Sequence, residues 1–369
     1  MGHRTPAGDM PMVAEIRIDE QRLRSAVRTL FAAAGSAPRE CDLVADHLVE
    51  ANLRGHDSHG VGMIPAYIAN ARTGELNLNT GATLVADTGG LLLVDGGFGL
   101  GQTVAYEAIG MAIERALATG TCLLSLRNSH HIGRIGHWAE QCADAGLVSL
   151  HFVNVISDPA VAPYAGLAPR VGTNPVCIGF PRRGEPPIIV DFATSRLAVG
   201  KVRVAYNKGV PVPEGVLIDR DGEPTTDPAS FFEGQPHGAV LPFGEHKGWG
   251  LALACELLAG ALSGGGTQHH PKRREAIVNN MFSVLVKPEA LGTAETFFPQ
   301  MDAFLEWVRL PPLGRDPTVQ IAGEPERRSR AERVAAGIPV DATTWEQILA
   351  AGESVGLARS ALAAEAGVA

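Results

Sequence analysis

The chain has 369 residues, 45% of them hydrophobic and 19% charged, which is ample material for a buried core and too apolar for a disordered chain. Its formal charge of −9, from 31 Lys and Arg against 40 Asp and Glu, opposes the electrostatic route to nucleic acid or anionic lipid and favours small-molecule partners. The five cysteines, Cys41, Cys122, Cys142, Cys177 and Cys255, are odd in number and contain no C-x-x-C pair, which argues against a disulfide framework or a zinc knuckle and suits a reducing cytoplasm.

At about 100–200 residues per domain, the length suggests two to three domains or one interlaced unit. The opening Met1-Gly2-His3-Arg4-Thr5-Pro6 lacks the apolar run of an export signal, and Pro6 stands where myristoylation needs Ser or Thr. Neither export nor anchoring is expected. Residues 19–35 and 38–53 are predicted as a helical hairpin, the second helix starting at Pro38 with Leu43, Val44, His47, Leu48, Ala51 and Asn52 at helical spacing. The run Arg54-Gly55-His56-Asp57-Ser58-His59-Gly60 then breaks the period and puts its polar side chains on a turn. A strand over 91–95, the glycines of Gly96-Gly97-Phe98-Gly99-Leu100-Gly101 and a helix over 102–118 invite a Rossmann reading. The spacing is not G-x-G-x-x-G, however, and the next strand, 121–126, ends in Arg127-Asn128 without an acid to bind a ribose. These glycines are expected to form a strand-to-helix turn.

Short β-rich runs follow at 122–126, 147–154, 176–180, 188–191, 215–218 and 276–287, with helices over 134–145 and 247–262. The class is therefore mixed α/β or α+β. Asp219-Arg220-Asp221-Gly222 reads as a hairpin turn. The stretch 251–262 is interrupted by Glu256 and falls short of the roughly 20 apolar residues that span a bilayer, so a buried helix is expected. Beyond Pro311-Pro312 come a Pro/Gly/charge-rich segment, a helix led by Glu326-Arg327-Arg328-Ser329-Arg330, and a final Ala-rich helix from about Thr344.

Five constellations can carry chemistry. In His56-Asp57-Ser58-His59 a hydroxyl, a carboxylate and two imidazoles crowd one irregular segment, which suits proton transfer; helix capping by Asp57 and Ser58 accounts for the same residues equally well. Ser129-His130-His131-Ile132-Gly133-Arg134-Ile135-Gly136-His137 follows a strand and enters a helix whose first turn has free N–H groups for an anionic ligand. The histidines leave a metal site open, although neither H-E-x-x-H nor a Cys/His spacing completes one. Gly172-Thr173-Asn174-Pro175 and Asp191-Phe192-Ala193-Thr194-Ser195 end β-rich runs, where polar residues line clefts or simply make turns. Gly244-Glu245-His246-Lys247-Gly248 opens the helix over 247–262, with Lys247 placed for phosphate or for capping. Arg327, Arg328, Arg330 and Arg333 suit phosphate, or a solvated helix face.

Together, the Arg54–Gly60 run, Asn128-Ser-His-His-Ile-Gly133, Gly172-Thr-Asn-Pro175, Asp191-Phe-Ala-Thr-Ser195 and Glu245-His-Lys-Gly-Trp-Gly250 occur in the order seen in the non-Rossmann malate/L-lactate dehydrogenase family. The resemblance covers nearly the whole chain, and Gly60 to Pro65 with Ser129 to Trp138 looks nearest to the hydroxycarboxylate dehydrogenases within it. It implies an α/β (α+β) fold with a mainly antiparallel, non-Rossmann NAD(P)-binding sheet. A helical part over 1–85, an NAD(P)-binding and substrate domain over 86–310 and a segment over 311–369 returning to the helical part would build a homodimer. By the same resemblance Ser58 and His59 match an active-site pair, and His131 matches an acid/base histidine. His59, Gly133, Arg134, Ile135, Asp191, Phe192, Ala193, His246, Glu326, Arg327 and Arg328 look like cofactor contacts, and Thr173 like a substrate contact. Many relatives carry a carboxylate-gripping arginine where this chain has Met63; Arg134 or Arg54 is expected to replace it, with Met63 as an apolar wall.

The expected activity is reduction of 2-oxo acids, phenylpyruvate-like or 2-oxoglutarate-like, to 2-hydroxy acids. NADPH is slightly preferred over NADH, and no metal is involved. Oxidation of malate, lactate or ureidoglycolate is the alternative within the same chemistry; a metal-dependent lyase or hydrolase and a non-catalytic binding protein are the alternatives outside it.

Overall fold

The computed structural model describes residues 15–269, 274–311 and 319–368. Met1 to Pro6 and most of the segment after Pro311 lie outside the described residues. Strand β1 (Glu15–Ile18) leads into α1 (Glu20–Ala33), whose N-terminal amides at Gln21 and Arg22 are capped by Asp19. Helix α2 (Pro38–Leu53) starts at its proline, as the sequence reading has it. The two helices pack through Leu23, Val27, Leu30, Val44 and Leu48 and are laced at the rim by Arg24–Asp46 and Arg28–Asp42 pairs at 2.7 and 2.6 Å. Two short 3₁₀ turns, Asp57–His59 and Val61–Met63, join α2 to α3 (Ile64–Thr73).

Next come β2 (Thr83–Asp87), β3 (Leu91–Asp95), α4 (Gly101–Thr119), β4 (Thr121–His130), α5 (Gly136–Asp144), β5 (Val148–Ile156), β6 (Val176–Phe180), β7 (Ile188–Phe192) and α6 (Val199–Lys208). After them lie β8 (Leu217–Ile218), β9 (Pro224–Thr225), α7 (Ala229–Phe232), β10 (Ala239–Val240), α8 (His246–Cys255), β11 (Val278–Val286) and α9 (Ala294–Trp307). The chain closes with α10 (Glu324–Ala336), β12 (Ile338–Asp341), α11 (Ala342–Ser354) and α12 (Arg359–Ala366). The main sheet has the order β2-β3-β4-β11-β5-β6-β7, and among the described residues only β3 and β4 run parallel. That pair and α4 form a lone βαβ unit inside a mainly antiparallel, non-Rossmann sheet.

Both chain ends build the helical lobe. β1 pairs antiparallel with β12, and Ile338, Trp345, Ile348 and Leu362 share one core with Leu23, Leu48 and Tyr67. A second core lies beneath the main sheet around Val94, Ile109, Leu126, Trp138 and Met281. A third, smaller one joins Val161, Val202, Leu217, Val240 and Ala252 around the three-stranded sheet β10-β8-β9. The predicted hairpin turn joins β8 to β9, with Gly222 at φ +85°.

Three expectations need correction. Strand β4 does not end at Leu126 but runs to His130, because Asn128 takes a left-handed φ of +54° and the partner strand β11 shifts register between Asn279 and Met281. The final helix is two, α11 and α12, parted at Gly356 (φ +85°). Helix α8, continued by a π-helical stretch over Glu256–Ala261, is buried on one face only: Leu253, Leu257 and Leu262 are 41, 53 and 63% exposed. Apolar composition does not distinguish a core helix from one with an apolar outer face.

Candidate active site

The glycine run after β3 brings a helix start against a strand end. A Cβ on Gly101 would stand 2.2 Å from the His131 carbonyl oxygen, and one on Gly96 would stand 3.1 Å from the Asn128 carbonyl. The glycines therefore serve close backbone approach, as the strand-to-helix reading expects. On the other side, Ile132 N–H donates to Asn279 Oδ1 (3.0 Å) and Asn128 N–H to Asn280 Oδ1 (2.8 Å), so β11 fixes the bend that carries His130 and His131.

His59 arrives from the 3₁₀ turn after α2. Asn52 Nδ2 donates to Asp57 Oδ1 (2.7 Å) and its Oδ1 accepts from Val61 N–H (2.8 Å). Arg333 of α10 reaches the same carboxylate at 2.6 and 3.0 Å. Asp57 thus braces the loop, and the Ser58 Oγ and His59 Nδ1 atoms lie 3.0 Å apart. The first turn of α6 closes over this pair: a Cβ on Gly200 would fall 2.4 Å from Ser58 Cβ.

The His59 and His131 rings stack at 5.6 Å. Burial, reinforced by His56 and Arg134, lowers His59 to about 4, and burial holds His131 well below its ordinary value. Both are neutral imidazoles at cellular pH. His131 Nδ1 lies 2.6 Å from the Tyr67 hydroxyl, which accepts from Gln102 Nε2 at 3.1 Å. Sequence reasoning missed Tyr67, Gln102, Asn52 and Asn279. Their signal is polarity on an otherwise apolar helix or strand face, as with Tyr67 and Asn70 one turn apart on α3, where Asn70 Nδ2 lies 3.0 Å from His130 Nε2.

Arg134 and Arg54 share one carboxylate, Glu140, at 2.5 and 3.1 Å. Arg134 is only 3% exposed; burial works against its charge, yet Glu140 and Asp191 hold it above its ordinary value. The first turn of α5 is not open to an anion as expected, since Asp191 Oδ2 accepts from Gly136 N–H at 2.8 Å. Burial raises Asp191 despite the nearby Arg134. Gly133, Arg134, Ile135 and Asp191 are thereby drawn together, with Arg134 N–H donating to His47 Nε2 at 2.9 Å.

Thr173 O accepts from Thr194 N–H (3.0 Å), and Thr194 O accepts from Phe243 N–H (3.0 Å). Phe192 meets Phe243 edge-on at 5.5 Å. Thr173, Phe192, Ala193 and the start of α8 accordingly form one rim. His246 and Lys247 are exposed there, His246 edge-on to Tyr164 at 5.9 Å. Asn174 turns inward instead, donating to Glu256 Oε1 at 2.8 Å. On α10, Glu326 faces His56 at 3.5 Å, which holds its carboxyl below the usual range, and Arg327 donates to Pro187 O at 3.1 Å. Arg330 pairs with Glu50 at 2.6 Å while its side chain stays 41% exposed, and Arg328 is exposed. Arg327, Arg330 and Arg333 serve as struts to neighbouring elements, and Arg328 faces solvent. Met63 packs partly buried on the helical core.

Among the described residues no three His, Cys, Asp or Glu side chains converge to hold a metal ion, and no helix is long and apolar enough to cross a membrane. At the rim between β7 and α8 the exposed side chains of His246 and Lys247 would hold the phosphates of a nicotinamide dinucleotide, since the first-turn amides of Lys247, Gly248 and Trp249 are already bonded to the Gly244, Phe243 and Glu245 carbonyls.

The chain is 47% identical over 351 residues to hydroxycarboxylate dehydrogenase B of Escherichia coli strain K12, covering 94% of this chain and 97% of that protein. It is 41% identical to an L-lactate dehydrogenase of Cupriavidus necator, covering 86% and 92%. A solved structure described as a putative malate/lactate dehydrogenase from E. coli superposes with a TM-score of 0.91 at 46% identity, covering 95% of this chain and 99% of that one. The family model for malate/L-lactate dehydrogenase matches residues 18–349. The chain belongs to the malate/L-lactate dehydrogenase family and is a 2-hydroxy acid dehydrogenase of the hydroxycarboxylate type.

Proposed function

We propose that the enzyme works as a reductase of 2-oxo acids, using NADPH slightly ahead of NADH, with His131 as proton donor to the substrate oxygen. The observation that carries this is the pair of neutral imidazoles, half-buried His59 and buried His131, stacked 5.6 Å apart, one beside Ser58 and the other beside Tyr67. When bound, the nicotinamide supplies a hydride to the carbonyl carbon. His131 offers N–H to the oxygen on which charge develops, and His59, beside Ser58, lines the opposite wall. Phe192, Ala193, His246 and the loop over Gly133, Arg134 and Ile135 bind the cofactor, with Asp191 orienting that loop and Glu326, Arg327 and Arg328 edging it. Thr173 contacts the substrate.

Arg134 or Arg54 grips the substrate carboxylate by exchanging its partner Glu140, and Met63 favours larger apolar or aromatic side chains. Alanine at each arginine in turn, with an unchanged KM for the oxo acid in both, refutes that exchange. The exposed apolar face of α8, Leu253, Leu257 and Leu262, is the contact of a homodimer. Five buried, unpaired cysteines suit a cytoplasmic location.

The test is consumption of NADPH and NADH across phenylpyruvate, 2-oxoglutarate, oxaloacetate and pyruvate, with malate and lactate in the reverse direction. Faster turnover of an oxo acid than of any hydroxy acid at neutral pH supports the reading, and turnover confined to the hydroxy acids refutes it.

A further inference from the structure

Resting on the reading of His131 as proton donor, we propose that Tyr67, set by Gln102, is a positioning residue that fixes the tautomer of His131 and refills its ring after proton delivery. The assignment starts from an amide. Gln102 is 1% exposed, and the same terminal atom lies 3.1 Å from the Tyr67 hydroxyl and 3.4 Å from the His131 carbonyl oxygen. An amide oxygen in that place would face another carbonyl oxygen, so the atom there is the NH₂ group. The other amide atom has no hydrogen-bond partner, so it favours neither orientation.

With Gln102 donating to it, the Tyr67 oxygen directs its own proton to His131 Nδ1 at 2.6 Å. Nδ1 is then an acceptor, and in a neutral ring the proton sits on Nε2. Burial keeps the ring neutral and raises Tyr67, so the phenol holds its proton across the working pH range. A neutral imidazole that gives up Nε2–H needs a proton at Nδ1, and Tyr67 is the group in contact with it.

A bound nicotinamide would supply hydride to the carbonyl carbon, and as that C–H bond forms the C–O π pair becomes a lone pair on oxygen. That lone pair takes the Nε2 proton while Nδ1 takes the Tyr67 proton, leaving the phenolate held by Gln102 N–H. His131 stays neutral, having exchanged one N–H for the other. After the product leaves, solvent restores the Nε2 proton and the Nδ1 proton returns to Tyr67.

The decisive measurement is the ring-nitrogen NMR spectrum of the full chain labelled with ¹⁵N-histidine, with the His131 signals identified by their loss in His131→Gln. The wild type is expected to carry the proton on Nε2. Gln102→Glu is nearly isosteric but accepts the Tyr67 proton, so His131 should switch to Nδ1–H. Tyr67→Phe keeps the buried ring and should lower kcat about 100-fold or more with KM for the oxo acid within about twofold. A wild-type Nδ1–H tautomer, or a Gln102→Glu variant with unchanged tautomer and kcat, overturns the proposal even where Tyr67→Phe fails to fold. Full turnover in His131→Gln instead overturns the underlying proton-donor reading and the relay with it, whatever tautomer the wild type shows.

Discussion

Helix α4 contains a matched pair of glycines that tests how the His131 bend is held. At Gly101 a Cβ would lie 2.2 Å from the His131 carbonyl oxygen and 2.6 Å from that of His130. A carbon–oxygen contact needs about 3.3 Å or more, so Gly101→Ala requires a displacement of roughly 1 Å. The neighbour is backbone, pinned from the far side by Asn279 and Asn280, and it cannot swing away as a side chain would. Overpacking of this kind costs roughly 1–3 kcal/mol. A 1 Å misplacement of the acid group costs on the order of 10²-fold in turnover. Gly110 lies in the same helix, and a methyl group there would meet nothing within 4 Å, so Gly110→Ala should gain about 0.5–1 kcal/mol with unchanged turnover. Thermal unfolding and steady-state kinetics of the three proteins decide the matter. A Gly101→Ala enzyme with the wild-type Tm and kcat refutes the claim that the glycine serves the histidine bend.

Three further outcomes are expected. Arg333→Ala removes the strut to Asp57 and Asn52 O; because the ion pair is partly exposed, stability should fall by only about 1 kcal/mol while kcat falls several-fold, read from denaturant titration beside kinetics. Leu257→Glu should convert the proposed dimer to a monomer in sedimentation velocity, and a wild type that sediments as a monomer removes α8 as an interface. Six histidines, buried His47, His130, His131 and His151 and half-buried His59 and His137, have lowered values, to about 4 for His59 and His130 and about 3 for His137 and His151. Since the unfolded chain protonates them near 6.5 and the folded one does not, their contribution is full above that pH and is lost as pH falls toward 4 and below. Unfolding at pH 5 should take up about six protons on their account, measurable from the slope of stability against pH.

The helical hairpin, the strand, glycine turn and helix over 91–118 and the short β-rich runs were legible because each depends on local periodicity and turn residues, whereas the antiparallel order of the sheet came only with the family resemblance. Pro38 starts α2 as expected, and Asp219 to Gly222 turns β8 into β9. The pairing of β1 with β12 was not legible, because it joins residues from opposite chain ends through four registers that no local pattern encodes. The same limit hid the struts. Arg330 and Arg333 look like any basic run until α10 is laid against α2, where Glu50 and Asp57 take them up. The histidine clusters were visible as compositional oddities, but their setting was not. That Tyr67 and Gln102 face His131 follows only from the close approach of α3 and α4 to the end of β4.

The glycine run shows how one local signal serves two backbone arrangements. A strand, several glycines and a helix are needed wherever a helix start must come within van der Waals contact of something without a side chain between. In a Rossmann turn that something is a pyrophosphate. Here it is the backbone of the neighbouring strand at Asn128 to His131. The acid that a Rossmann unit keeps on its second strand stands on the first strand instead, as Asp95. Its Oδ1 accepts from Gly97 N–H at 2.9 Å, and its Oδ2 accepts from Arg127 Nε and Asn128 Nδ2 at 2.8 and 2.9 Å. Burial pushes that carboxyl up, but the Gly97 amide, Arg127 and Asn128 together hold it below its ordinary value, so it remains charged. The Arg127-Asn128 pair that excludes a ribose site in the sequence is therefore the clamp that draws the two strand ends together, and the bend it stabilises delivers His130 and His131 to the active site.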